Sequence, residues 1–206
     1  MTPQHSEAFI DKAVINSFHD MRIKQFGAGT SEALGWQSEH SQTARFAMLA
    51  GIGDMNGRSV LDIGCGHGDL SAYLRKRYTL LNYRGIDLLE TFVAIAANNY
   101  VQIPATSFYL GDCYKADLVK ADYVLASGSL SYHTAEADQI YKIITKLFNT
   151  CVIAFGFNLL SKIDTQGGIL MTYEPESILQ YCLTLTEKVI LHNNYLEGDY
   201  TIWMYK

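Results

Sequence analysis

Short apolar runs alternate with longer stretches of helical periodicity along most of the chain. The apolar runs predict seven strands, over residues 59–63, 82–87, 107–110, 123–126, 151–157, 187–192 and 200–205. Apolar residues at helical spacing predict helices over 69–77, 90–98, 136–148 and from Pro175 to about Cys182, where the proline suits the first turn. Two further helices are predicted before the first strand, around Phe9–Met21 and over 41–50.

The alternation of strand and helix predicts an α/β fold. Successive strands joined through helices pair in parallel, with right-handed crossovers that place helices on both faces of the sheet. The last two strands flank Glu197-Gly198-Asp199, which is typical of an antiparallel pair. We therefore expect a Rossmann-like, doubly wound, seven-stranded sheet that is mostly parallel and has an antiparallel C-terminal strand.

The 206 residues fit one domain with some chain to spare. Residues 59–206 carry the strand–helix pattern and are predicted to form the core. Residues 1–58 have too little apolar pattern for a core of their own. We expect them to form an N-terminal helical lid over the carboxyl edge of the sheet, where it would cap a substrate.

Composition narrows the classes of partner and the compartment. Sixteen Lys and Arg against 21 Asp and Glu give a net charge of −5, which disfavours a nucleic-acid-binding protein. No long apolar run or secretory pattern occurs, so a cytoplasmic protein that does not enter a membrane is expected. The four cysteines lack metal-ligand spacing, which favours reduced thiols and no metal site.

The first strand runs directly into a glycine turn, Gly64-Cys65-Gly66-His67-Gly68, which opens the next helix. Such a turn exposes backbone N–H groups and the positive end of a helix to a ligand. The dinucleotide fingerprint needs G-x-G-x-x-G, whereas here the third glycine comes one residue early and Asp69 follows. The spacing therefore favours a ligand without a pyrophosphate.

Acidic residues stand at the ends of the first three strands: Asp62, Asp87 and Asp112. The carboxyl ends of parallel strands share one edge of the sheet, which is where open α/β sheets bind ligands. At the second strand, a carboxylate can accept both hydroxyls of a ribose. At the third, Asp112 beside a backbone N–H suits the amine and ring nitrogen of adenine. Together the three carboxylates predict a nucleoside site.

From Ser59 to the C-terminus, the chain resembles the class I S-adenosylmethionine (SAM)-dependent methyltransferases of the small-molecule type, and residues 60–68 carry the most specific part of the likeness. The resemblance implies SAM as cofactor, S-adenosylhomocysteine (SAH) as product, and the reversed final hairpin. It also implies that Gly64, Cys65 and Gly66 lie along the methionyl part of SAM, which Asp62 helps to order. The remaining implied contacts are Asp87 and the neighbouring Leu88 at the ribose, Asp112 and Cys113 at the adenine, and Ser127 and Gly128 beside the methionyl amine and the methyl.

Three more side chains are candidates for the site. Arg45, on the helix before the first strand, could bind the carboxylate of SAM bidentately, or it could be a solvated helix arginine. His133 follows the fourth strand and is the best-placed general base, since imidazole titrates near neutrality. The adjacent Tyr132 could contact the acceptor, or contact the sulfonium through its ring face.

The residues after the fourth strand, Ser127–Tyr132, match no Asn/Asp-Pro-Pro-Tyr/Phe signature and supply no carboxylates for a catechol-type metal site. We therefore expect direct in-line transfer of a methyl group to a small molecule. Three alternatives stay open: an NAD(P)-dependent oxidoreductase, a SAM-binding module without catalysis, and methylation of tRNA or protein, which the acidic charge balance disfavours. The oligomeric state and the acceptor are left undetermined.

Overall fold

The computed structural model describes residues 4–134, 136, 138–163 and 168–206, with side chains described from residue 12 onward. Residues 1–3 of the predicted lid lie outside this range. The helices are α1 Gln4–Phe26, α2 Glu39–Ala50, α3 Asp69–Arg75, α4 Glu90–Asn99, α5 Gln139–Thr150 and α6 Pro175–Leu185. The strands are β1 Arg58–Ile63, β2 Leu81–Asp87, β3 Thr106–Leu110, β4 Ala121–Ala126, β5 Cys151–Leu160, β6 Val189–His192 and β7 Asp199–Tyr205.

The strands form one seven-stranded sheet in the order β3-β2-β1-β4-β5-β7-β6. Strands β1 to β5 pair in parallel, and β7 lies antiparallel between β5 and β6. This arrangement confirms the predicted fold class. The sheet order reverses direction between β1 and β4, and that switch point is where an α/β sheet opens a crevice for a ligand.

The helices cover both faces of the sheet through two apolar clusters. On one face α5 buries residues at helical spacing, including Ile140, Ile144 and Leu147, beside Ile178 of α6. On the other face the cluster is built from α2, α3 and the sheet, with Leu49 and Leu74 among its fully buried members. The two clusters hold the strand ends, and therefore the site, in a defined geometry.

Helix α2 of the N-terminal segment packs into the core. Helix α2 begins with a capping box in which Ser38 and Ser41 bond each other's backbone N–H groups, and it packs against β5 and β7. Its Phe46 and Leu49, with Met55 beyond it, are buried in the core. Helix α2, which precedes residue 58, thus shares one apolar cluster with α3 and the sheet.

Strand β5 is longer than the apolar run 151–157 predicts. It continues through Asn158 to Leu160 because β7 pairs along it as far as Leu160 opposite Asp199. This extension carries Asn158 and Asp199 to the carboxyl edge. No helix in the described part of the chain is long and apolar enough to span a membrane.

Candidate functional site

A cavity of about 520 Å³ opens at the carboxyl edge of the sheet, between the strand ends and the residues from α1 to α2. Every site residue predicted from the sequence lines it: Arg45, Asp62, Gly64, Cys65, Gly66, Asp87, Leu88, Asp112, Cys113, Ser127, Gly128, Tyr132 and His133. Residues separated by more than eighty positions in the chain therefore meet in one pocket, as parallel strands ending at one edge require.

The glycine turn after β1 adopts a backbone that side chains disfavour. Gly64, Gly66 and Gly68 have φ of 71°, 53° and 83°. A Cβ at Gly64 would lie 2.3 Å from the Cβ of Ser129, so the close approach of the loop after β4 also requires glycine. The N–H groups of Gly64 and Cys65 donate to the carbonyl of Ile86, which joins the turn to β2. The turn is thus a preformed wall of the cavity.

Asp87 joins the end of β2 to the glycine turn. Its Oδ2 accepts a hydrogen bond of 2.8 Å from the N–H of Gly66, and its Oδ1 accepts one of 2.9 Å from the N–H of Leu89. Burial raises the pKa of this carboxyl, while the backbone donors oppose the rise. Each oxygen of a carboxylate has a further lone pair, so Asp87 can still accept hydroxyl donors from a ligand.

Asp62 is buried at the end of β1, where the hydroxyl of Tyr83 donates to its Oδ2. Its Oδ1 has no hydrogen-bond partner among the described residues. Burial raises the pKa of Asp62 to about 7, with Asp87 and Asp69 contributing in the same direction. A buried carboxylate with an unmatched oxygen in the wall of a cavity suits a ligand that brings a cationic N–H donor.

Asp112 and Cys113 lie beyond β3 on the far side of the cavity, and Leu88 lines it after β2. The Oδ1 of Asp112 accepts a 2.9 Å hydrogen bond from the N–H of Tyr114. Burial raises the pKa of Cys113 to about 12, so it remains a thiol at neutral pH. This end of the pocket therefore combines a hydrogen-bond acceptor, the carboxylate of Asp112, with apolar and thiol contacts.

A buried polar network supports the loop after β4. The hydroxyl of Ser127 donates to Oδ1 of Asn158 at 3.2 Å, and Nδ2 of Asn158 donates to the hydroxyl of Thr201 at 2.6 Å. Gly128 has φ of 69°, and a Cβ there would lie 2.9 Å from the ring of Trp36. Ser127 and Gly128 are thereby held by β5, β7 and the residues before α2.

Arg45 is held by partners within the chain. Its Nε and Nη2 donate to the two carboxylate oxygens of Asp199, each at 2.6 Å, and the ring of Trp36 lies 4.8 Å from its guanidinium carbon. Burial raises the pKa of Asp199, although Arg45 opposes the rise. The arginine is therefore not the solvated helix residue that the sequence allowed, and its bidentate edge is already occupied by Asp199.

Tyr132 and His133 follow β4 and have different surroundings. The hydroxyl of Tyr132 lies 2.7 Å from Nε2 of His19, on α1, whose Nδ1 lies 3.0 Å from the carbonyl oxygen of Ala33. His133 is exposed at the rim of the cavity, and its backbone N–H donates to the carbonyl of Ile169 at 2.7 Å. Both residues line the pocket, but Tyr132 has a histidine partner within the chain.

The sequence did not predict the site contacts of His19, Trp36, Asn158 and Asp199, which also line the cavity. His19 lies in a predicted helix without any functional motif, and Asp199 lies in a sequence that is typical of a hairpin turn. Local patterns do not report these partners, because the contacts form across the sheet. Among the described residues, no group of three or more metal-ligating side chains is arranged to hold an ion.

A family model described as a methyltransferase domain matches residues 60–151. A trans-aconitate 2-methyltransferase from Acidovorax sp. (strain JS42) is 26% identical over 145 residues, which are 70% of this chain and 48% of that protein. The chain thus spans about half the length of this curated relative.

Two solved structures illustrate the likeness of fold. Magnesium protoporphyrin IX methyltransferase from Synechocystis PCC 6803, solved with bound SAH, has a TM-score of 0.71 and 18% identity, covering 95% of this chain and 98% of that one. The N-methyltransferase NodS from Bradyrhizobium japonicum WM9, also in complex with SAH, has a TM-score of 0.68 and 12% identity, covering 92% and 98%. Both share the architecture along nearly their whole length.

Residues 60–151 match the model of a methyltransferase domain, and the chain shares the fold of the solved methyltransferases. These findings confirm the resemblance to the class I SAM-dependent methyltransferases. The matching magnesium protoporphyrin IX methyltransferase was solved with SAH and with SAM, the product and the cofactor that the resemblance implies.

Proposed function

We propose that this chain transfers a methyl group from SAM to a small-molecule acceptor by direct in-line transfer. The carrying observation is that every residue assigned to the site from the sequence lines one cavity of about 520 Å³ at the switch point of the sheet. When bound, SAM supplies a methyl group already activated on a sulfonium sulfur. The chain's own task is to orient the two reactants and to exclude water.

The residues present suit SAM along the length of the cavity. The unmatched Oδ1 of Asp62 suits the methionyl ammonium, while the turn at Gly64–Gly66 leaves room for the methionyl chain. Asp87 suits the ribose hydroxyls, with Leu88 beside it, and Asp112 and Cys113 suit the adenine. Ser127 and Gly128 would flank the methionyl amine and the methyl.

Arg45 is not proposed to bind the methionyl carboxylate of SAM bidentately. Its Nε and Nη2 are engaged by Asp199, whereas a Cβ at Gly128 would lie 3.4 Å from its Nη1. Nη1 therefore remains close to the loop that would flank the methionyl group. We infer that Arg45 binds the methionyl carboxylate through Nη1 and is oriented by Asp199.

The lid is proposed to comprise α1 and the residues up to Gln37, with α2 as its base in the core. Phe18, His19, Leu34 and Trp36 from this segment line the cavity. They would exclude water from the acceptor, which suits an electrophilic methyl group. The matched relatives are named for small-molecule substrates, trans-aconitate and magnesium protoporphyrin IX, which supports a small acceptor for this chain.

Isothermal titration with SAH tests the cofactor assignment directly. We expect saturable binding to the wild type and much weaker binding to Asp87→Ala, with Asp54→Ala, an exposed carboxylate away from the cavity, as the control. An absence of binding at millimolar SAH would reject the proposal. Enhanced fluorescence of added NADH would instead revive the oxidoreductase alternative, which the comparisons do not favour.

Catalysis is tested by transfer of labelled methyl from SAM to components of a metabolite extract. We expect a labelled small molecule, whereas SAH binding without transfer would indicate a SAM-binding module. A cytoplasmic location and the absence of nucleic-acid or membrane partners complete the proposal. They rest on the net charge of −5 and on the cysteine spacing.

A further inference from the structure

The hydroxyl of Tyr132 and the imidazole of His19 form a hydrogen-bonded pair in the wall of the cavity, although 113 positions separate them in the chain. We propose that this pair takes up the proton of a neutral hydroxyl group on the methyl acceptor, with Tyr132 contacting the acceptor and His19 receiving the proton through it. The inference rests on the proposed methyltransferase function. It deepens that function by naming the chemical class of the acceptor.

The hydrogen bonds determine which nitrogen of His19 carries its proton. Nδ1 lies 3.0 Å from the carbonyl oxygen of Ala33, and a carbonyl oxygen can only accept. Nδ1 is therefore the donor. In the neutral ring Nε2 then has a free lone pair, and it accepts the hydroxyl of Tyr132 at 2.7 Å. This directs the Tyr132 proton to His19 and leaves the phenolic oxygen able to accept a proton from the cavity side.

The surroundings keep the imidazole of His19 neutral and therefore able to accept a proton. Burial is the largest cause that lowers the pKa of His19, and the pKa of neighbouring His67 is lowered by burial as well. The charged and titratable groups that face the pair from the surrounding elements are Asp20 and Arg22 on α1, His67 in the glycine turn, and Asp87 after β2. Arg22 and His67 oppose a charge on His19, whereas Asp20 favours it.

Both members of the pair are held in place. The segment of Tyr132 forms a β-bridge to Leu170, with hydrogen bonds of 2.7 Å from Met171 to Ser131 and from His133 to Ile169. The ring of His19 packs edge-on against Phe92 of α4, with centroids 5.1 Å apart. Such anchoring on two sides is the preorganisation that proton transfer requires.

Methyl transfer and proton transfer are coupled in the proposed step. The acceptor oxygen forms a bond to the methyl carbon, and the bond between that carbon and sulfur breaks with its electron pair passing to sulfur. The proton of the acceptor hydroxyl passes to the oxygen of Tyr132, as the Tyr132 proton passes to Nε2 of His19. The imidazolium that results keeps its hydrogen bond to Ala33 and later releases one proton to solvent.

This arrangement distinguishes a hydroxyl acceptor from a carboxylate. A carboxylate is ionised at neutral pH and loses no proton on methylation, so a proton-accepting pair would add nothing to its reaction. A hydroxyl group must lose its proton during or after transfer, and a positioned base then contributes about 10²–10⁴-fold. The Tyr132–His19 pair therefore favours a hydroxyl acceptor over a carboxylate.

The first test needs no acceptor. Long-range ¹H–¹⁵N correlation spectra of the labelled protein report the protonation of each histidine nitrogen, with the His19 signals assigned from His19→Gln. We expect a neutral ring protonated at Nδ1 at pH 7, and a shift of the Nε2 signal in Tyr132→Phe. A ring protonated at Nε2, or an imidazolium, would overturn the proposal.

The second test measures methyl transfer to the extract acceptor at saturating SAM. We expect Tyr132→Phe and His19→Gln to lower kcat about 100-fold or more while SAH affinity stays within threefold. Gln can still accept the Tyr132 hydrogen bond but does not take up a proton near neutrality. A purely structural contact would therefore survive His19→Gln. His40→Gln, an exposed histidine on α2, is the matched control and should leave kcat unchanged.

The pH profile separates His19 from His133 as the proton acceptor. In the wild type, kcat should fall as the pH drops through the lowered pKa of His19, because an imidazolium cannot accept a proton. This acid limb should be absent in His19→Gln and present in His133→Gln. An acid limb that persists in His19→Gln and disappears in His133→Gln would overturn the proposal. So would a retained kcat in Tyr132→Phe or a product methylated on a carboxylate. If the wild type transfers no methyl group at all, the proposed function fails, and the spectra still decide the state of the pair.

Discussion

Arg45 and Asp199 form a bidentate ion pair across the mouth of the cavity, with both N–O distances at 2.6 Å. The arginine comes from α2 and the aspartate from the start of β7, so the pair joins the N-terminal helices to the C-terminal hairpin. The side chains retain 14% and 4% of their exposure. Removing one partner from such a buried pair leaves an uncompensated charge.

We therefore expect Asp199→Ala to lower the free energy of unfolding by about 3–5 kcal/mol, the usual cost of breaking a buried pair. It should also weaken SAH binding, because Arg45 loses its orientation. Denaturant unfolding and isothermal titration measure the two effects. Glu136→Ala, which removes an exposed partner of Lys142, is the control and should change neither. Equal stability of the two variants would contradict the role given to the pair.

Asp87→Asn should weaken SAH binding at least about tenfold, since hydrogen bonds to a charged group contribute about 1.5–3 kcal/mol each. The amide keeps an oxygen for one backbone donor but loses the charge that a ribose hydroxyl would meet. Asp54→Asn, at an exposed site, serves as the matched control. Unchanged affinity in Asp87→Asn would remove the ribose assignment from this residue.

The stability contributed by Asp62 should depend on pH, because burial raises its pKa to about 7 from an ordinary value of 3.8. Between these values the folded protein binds a proton that the unfolded chain lacks, so stability falls as the pH rises. The wild type should lose stability relative to Asp62→Asn from about pH 4 to pH 7 and then level off. Unfolding titrations at several pH values measure this difference.

Asp122 provides a control of opposite sign. Hydrogen bonds from the backbone and hydroxyl of Ser59 lower its pKa. The stability that Asp122 contributes should be complete above its ordinary pKa of 3.8. It should be lost as the pH falls through the lowered pKa of the folded protein. A wild-type advantage over Asp62→Asn that grows with pH would contradict the raised pKa of Asp62.

Gly64→Ala should both destabilise the chain and abolish SAH binding. The residue has φ of 71°, and its new Cβ would overlap the Cβ of Ser129 at 2.3 Å. Gly57→Ala measures the cost of the positive φ alone, since Gly57 has φ of 72° and open space around it. We expect about 1–2 kcal/mol for Gly57→Ala and a larger loss for Gly64→Ala. Equal losses in thermal or denaturant unfolding would show that the contact with Ser129 is of no consequence.

The periodicity of the chain was sufficient to predict the sheet, because strand–helix alternation leaves few ways to pair and cross over. The strand ends at Asp62, Asp87 and Asp112 were also readable, since carboxyl ends of parallel strands share one edge. The packing of the N-terminal segment was not readable from the sequence. Helix α2 has a modest apolar pattern, and its burial depends on the β5–β7 surface that receives it.

The sequence by itself determined the fold class, the glycine turn and the edge of the sheet at which the site lies, since these follow from local conformation and from chain topology. The tertiary structure decided which side chains are paired there: Arg45 with Asp199, Tyr132 with His19, and Asp62 with Tyr83. It also decided the raised pKa of Asp62. Pairing and burial depend on residues that are distant in the chain and meet only when the sheet, its helices and the N-terminal segment have packed together.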